Sequence, residues 1–88
     1  MDQTDRKTIL IVDDEEVVAE SYELYLEEEY ETRIATTGGA ALAELNPNDR
    51  EVDLVLLDRR MPGMSGDVVA DHIADYELDY QVIMVSAV

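Results

Sequence analysis

Four short stretches, "KTILIVDD", "YETRIA", "VDLVLL" and "QVIMVSAV", are apolar or alternate apolar with polar residues, and residues at helical spacing separate each from the next. This rhythm constrains the fold more than any other feature. The apolar runs are too short for buried helices and are rich in residues that suit strands. Strands alternating with helices build βαβ units and a parallel sheet, and right-handed crossovers then lay helices on both faces. A sheet covered on both sides explains why "LVLL" is apolar without alternation.

The expected elements follow in order. Strands are predicted at Thr8–Val12, Glu31–Ala35, Val52–Leu57 and Gln81–Val88. An amphipathic helix is predicted from Glu15 to Glu28, with Val18, Tyr22, Tyr25 and Leu26 inward and Glu on the other face. A Thr cap and a Gly pair precede a second helix, Ala40–Leu45, which Asn46-Pro47 ends. Gly63–Gly66 reads as loop. A third helix then runs from Asp67 to Leu78, with Val68, Val69, Ile73 and Tyr76 inward and His72 among exposed positions.

A chain of 88 residues makes one domain, residues 1–88. Its 47% hydrophobic content is enough for a core and argues against disorder. The absence of Cys excludes disulfides and thiolate metal sites. No leader or membrane span is legible, so a soluble, cytoplasmic protein is expected. The outlier is charge: 22 acidic against 6 basic residues give −16. Such a surface repels nucleic acid, because phosphate binding needs clustered Lys and Arg. It suits a salt-rich cytoplasm, where a Debye length of about 3 Å at 1 M screens self-repulsion.

The chemistry is concentrated at strand ends. In open parallel sheets, ligands bind beyond the carboxyl ends of strands, where the strand order reverses. In the order 2-1-3-4-5 that point lies between the first and third strands, which here end in Asp13-Asp14 and in Asp58. Three carboxylates in one cleft repel each other unless a cation intervenes. With only oxygen ligands on offer, Mg²⁺ (or Mn²⁺) is the expected ion. A carboxylate is also a phosphoryl acceptor, and a metal neutralises charge on the transferring group.

Each piece has a plainer reading when taken alone. Asp13-Asp14 could be a helix cap in a chain that also contains Glu27–Glu29, Asp58 a solvated strand end, and Ser86 a turn former. Met61-Pro62-Gly63 reads as a tight turn. Gly38-Gly39 is no phosphate loop, since no Gly-Lys-Ser/Thr follows it. The conjunction decides between these readings.

"ILIVDDEE", "LVLLDRRMPGMSG" and "VIMVSA" together resemble the receiver domain of two-component response regulators. The segment "DRRMPGMSGD" and the acidic surface are similar to the HalX-type regulators of halophilic archaea. The resemblance implies a flavodoxin-like (CheY-like) three-layer α/β sandwich with a parallel sheet in the order 2-1-3-4, lacking the fifth strand and last helices. It implies that Asp58 accepts a phosphoryl group from a sensor histidine kinase in a Mg²⁺-dependent reaction. Asp14 would be a direct metal ligand and Asp13 would act through water. Asp58 and the backbone carbonyl of Arg60 would complete the metal site, and the Ser86 hydroxyl would follow the phosphoryl group. Such a protein is a phospho-acceptor that assists its own phosphorylation rather than an enzyme.

Two departures bear on that expectation. The family's Lys and aromatic switch residue of the fifth strand have no counterpart, and the one Lys, Lys7, precedes the first strand. The expectation is therefore a receiver that is incomplete at its C-terminal side. A receiver-like fragment that binds partners without being phosphorylated is the alternative. A haloacid-dehalogenase-type phosphatase fits less well, because Arg60 stands where its second acid should be. The fourth strand, apolar and without charge, is expected to be an exposed edge that pairs with a second copy in a homodimer.

Overall fold

The structure, a computed structural model, describes residues 6–45, 52–60, 65–75 and 81–85. The elements are β1 (Thr8–Val12), α1 (Glu16–Leu26), β2 (Glu31–Ala35), α2 (Gly38–Glu44), β3 (Leu54–Asp58), α3 (Gly66–Asp75) and β4 (Gln81–Val85). The strands form one parallel sheet in the order β2-β1-β3-β4. This is the flavodoxin-like arrangement that the resemblance implied, built on the parallel sheet that the alternation of strands and helices predicts.

Pleating sorts the strand residues by parity. Leu10, Val12, Val55 and Leu57 face one side and pack with Ala41, Leu45, Val69 and Ile73 of the α2 and α3 region. Ile9 and Ile11 face the other side, where they meet Ala19, Tyr22 and Leu26 of α1, with Leu54 and Leu56 packed alongside. Three layers result. The start of β3 is tied to β1 by Asp53: its carboxylate accepts the Thr8 N–H (2.8 Å), and its own N–H donates to the Thr8 carbonyl (2.9 Å).

Several boundaries and facings differ from expectation. Helix α1 ends at Leu26, and Glu27–Glu29 form a turn. Three consecutive carboxylates would face the negative end of a helix with no basic residue in its last turn, which disfavours another turn. Arg6 supplies a cation there by donating to the Glu27 carbonyl (3.1 Å). Tyr25 is 88% exposed, not inward. Fully buried Ala19 lets the helix approach the sheet, and the stripe through Tyr22 and Leu26 turns Tyr25 away. In α3, Val69 and Ile73 are buried as expected, but Val68 is exposed and His72 is half-buried.

Helix α2 begins at Gly38, two residues early, because Thr37 caps it: the Thr37 hydroxyl oxygen accepts the Ala40 N–H (3.0 Å). Strand β3 starts two residues late and includes Asp58. Tyr76 and the remainder of the predicted third helix to Leu78, together with residues 86–88 of the predicted fourth strand, lie outside the described residues.

Candidate metal and phosphoryl site

The site is assembled by the ends of two neighbouring strands. Immediately after β1, the Asp13 N–H donates to the Ala35 carbonyl of β2 (3.1 Å), which continues the ladder one residue past the strand. This anchors Asp13, a residue that is only 8% exposed. Its Oδ1 accepts the Glu15 N–H (2.9 Å) at the mouth of α1. Asp14 is exposed beside it. Asp58 closes β3, paired with Val85 of β4, and its Oδ1 accepts the Arg60 N–H (3.2 Å).

Asp13, Asp14 and Asp58 each offer a carboxylate oxygen, and these atoms all lie within 4.8 Å of one another. They open on a cavity of about 250 Å³ that is also lined by Glu15, Val18, Tyr22, Arg60 and Val85. Burial pushes the Asp13 carboxyl above its ordinary range; the Glu15 amide opposes this, and the charges of Asp58, Asp14 and Glu15 add to it. An all-oxygen cluster with one buried, repelled carboxylate fits a hard divalent cation. The residues present therefore suit Mg²⁺, and they are the three acids expected from the sequence. Arg60 lines the same cavity. Ser86 and the Met61-Pro62-Gly63 turn lie outside the described residues.

Gly66, the last residue of the segment expected to be loop, supports the site. It is the first residue of α3, and its N–H donates to the Arg59 carbonyl (3.0 Å). A Cβ there would overlap the Asp58 carbonyl oxygen and come within 2.8 Å of Arg59 Cα. The helix thus sits against the backbone that carries the acceptor, and only Gly permits the approach. A Gly opening a helix directly after a Ser that can cap it was the available signal. Lys7 lies at the opposite end of the strands, in a cavity of about 570 Å³ shared with Tyr30, Asp53, Leu54 and Gln81.

The pattern of the family described as response regulator receiver domain matches residues 9–88. A regulator from Haloferax volcanii is 41% identical over 83 residues, covering 93% of this chain and 14% of that protein. Sensory transduction protein RegX3 of Mycobacterium tuberculosis is 43% identical over 82 residues, covering 91% of this chain and 34% of that protein. The crystal structure of response regulator protein TrrA from Thermotoga maritima, in complex with Mg²⁺-BeF, is similar with a TM-score of 0.82 at 40% identity. That match covers 93% of this chain and 70% of the other. The chain spans about a third or less of these two curated relatives.

Proposed function

The chain belongs to the response regulator receiver domain family of two-component signalling, and from that premise we propose that Asp58 is its phospho-acceptor. The observation that carries the reading is the convergence of Asp13, Asp14 and Asp58 within 4.8 Å at the carboxyl edge of the sheet. A sensor histidine kinase would supply the phosphoryl group. An Asp58 carboxylate oxygen attacks phosphorus, the donor P–N bond breaks, and the imidazole nitrogen leaves with the electron pair.

Mg²⁺, proposed here and present in the TrrA complex, would neutralise charge that builds up on the transferring group. Asp14 would ligate it directly, Asp13 through water, and Asp58 and the Arg60 carbonyl would complete the set. The Arg60 N–H on Asp58 Oδ1 orients the acceptor carboxylate. The Ser86 hydroxyl would bind a phosphoryl oxygen once transfer is complete.

The wider setting is also proposed: a cytoplasmic chain that contacts no nucleic acid itself and pairs with a second copy through β4. Among the described residues, no helix is long and apolar enough to cross a membrane.

Incubation with acetyl phosphate and Mg²⁺, followed by intact mass, tests the reading. One hydroxylamine-sensitive phospho-adduct is expected, absent in Asp58→Asn and without added metal. Steady release of phosphate with no adduct, or an adduct that persists in Asp58→Asn, would refute it.

A further inference from the structure

Two adjacent arginines follow the acceptor, and the fold gives them different partners. Arg59, though exposed, is engaged: its N–H donates to the Val85 carbonyl (3.0 Å), and its Nε pairs with Asp67 Oδ2 (3.2 Å) in the first turn of α3. Arg60 is exposed and lines the acidic cavity. The other described cations lie elsewhere. Arg6 binds the Glu27 carbonyl, Lys7 sits at the far end of the strands, and Arg33 pairs with Glu44 (3.1 Å).

The residues lining the cavity therefore include four acids, Asp13, Asp14, Glu15 and Asp58, against one arginine, Arg60, a formal net charge of −3. A divalent cation brings this to −1. An incoming phosphoryl group adds further negative charge, and bound metal alone leaves it facing a lining that is still negative. A planar guanidinium offers paired N–H donors that match phosphoryl oxygens.

We propose that the Arg60 side chain is a positively charged group that grips the phosphoryl group on Asp58, while the Arg59 side chain serves to dock α3. This rests on the phospho-acceptor reading above. It makes Arg60 a residue with three duties: its N–H orients the acceptor, its carbonyl completes the metal site, and its guanidinium binds what the acceptor receives. With acetyl phosphate, an Asp58 oxygen attacks phosphorus, the P–O bond to the acetyl group breaks, and acetate departs with the electron pair. Arg60 transfers no proton and acts only on the charge of the moving group.

The test compares the parent chain with Arg60→Ala, Arg60→Lys and Arg59→Ala. Three quantities are read: the rate of adduct formation from acetyl phosphate, the Mg²⁺ dissociation constant by calorimetry, and the melting shift produced by beryllofluoride in saturating Mg²⁺. Arg60→Ala should slow adduct formation at least about tenfold and abolish most of the beryllofluoride shift. Its Mg²⁺ affinity should hold or rise, since a cation has left the carboxylates. Arg60→Lys should recover part of both losses, and Arg59→Ala should stay within about twofold of the parent rate while melting lower. Parent-like behaviour of Arg60→Ala overturns the proposal. Loss of Mg²⁺ affinity in parallel with rate also overturns it, because that would assign Arg60 to metal geometry alone. If the parent itself forms no adduct and responds to no beryllofluoride, the acceptor reading fails first, and that is read on the parent alone.

Discussion

Asp13 is the residue whose local energetics say most about the site. It is buried among like charges, so its carboxyl is held above the ordinary range. The folded chain therefore binds this proton more tightly than the unfolded chain does. The resulting stability is fully present below the unfolded value and is lost as pH rises through the raised folded one. At neutral pH the ionised Asp13 is a cost unless a cation offsets it. Asp13→Asn keeps an oxygen for the Glu15 N–H and removes the charge. It should raise the melting temperature of the metal-free chain, a sensitive readout because each kcal/mol shifts a domain this size by roughly 4–8 °C. Added Mg²⁺ should reverse the ranking. In the parent, Mg²⁺ affinity should fall as pH drops through the raised Asp13 value, where a proton competes for the ligand. A variant that melts lower than the parent without metal would contradict this account.

At the scale of elements, two glycines make opposite predictions. Gly66 lets α3 rest on the Asp58–Arg59 backbone, where a Cβ meets main-chain atoms that cannot give way. Gly66→Ala should cost about 1–3 kcal/mol in urea unfolding and slow phosphorylation by displacing the acceptor backbone. Gly39 lies in α2 with nothing within 4 Å of an added Cβ. Gly39→Ala should stabilise by about 0.4–1 kcal/mol, through lower entropy of the unfolded chain, and leave the phosphorylation rate alone. Similar effects at both positions would mean that the approach of α3 to β3 is not what Gly66 serves. Helix facing was the least legible feature at this scale. Tyr25 and Val68 each sit one step from the true buried stripe, and a 100° turn per residue makes such neighbours hard to separate by pattern alone.

For the whole molecule, charge and edges work against each other. A net charge of −16 repels at low ionic strength, so melting temperature should rise from dilute buffer into molar KCl. An unchanged or falling value would sink the salt-adapted reading. Among the described residues, the outer strands of the sheet, β2 and β4, differ in character. β2 carries Glu31 and Arg33, charges that guard an edge, whereas β4 carries none and leaves Ile83 51% exposed, with Met84 exposed as well. Self-association through β4 is the expected outcome, strengthened by salt because the two copies repel. Sedimentation at micromolar concentration should show a dimer that Ile83→Lys or Met84→Lys weakens. A monomer at all salt concentrations would refute it.

The sequence by itself determined the architecture and the acids. Apolar runs with strand composition, broken by helical spacing, leave few alternatives to a parallel α/β sheet, and β1 and β2 fell at their predicted bounds. Asp13, Asp14 and Asp58 were legible because parallel strands all point their carboxyl ends one way, so residues distant in the chain must meet. What tertiary structure alone decided depends on distances that no spacing encodes. The close approach of α3 to the acceptor fixed the role of Gly66, and packing against the sheet fixed which face of α1 was buried. The division of Arg59 from Arg60 arose the same way. Two identical neighbours in sequence acquire different partners only when α3 brings Asp67 to one and the strand ends bring the carboxylates to the other.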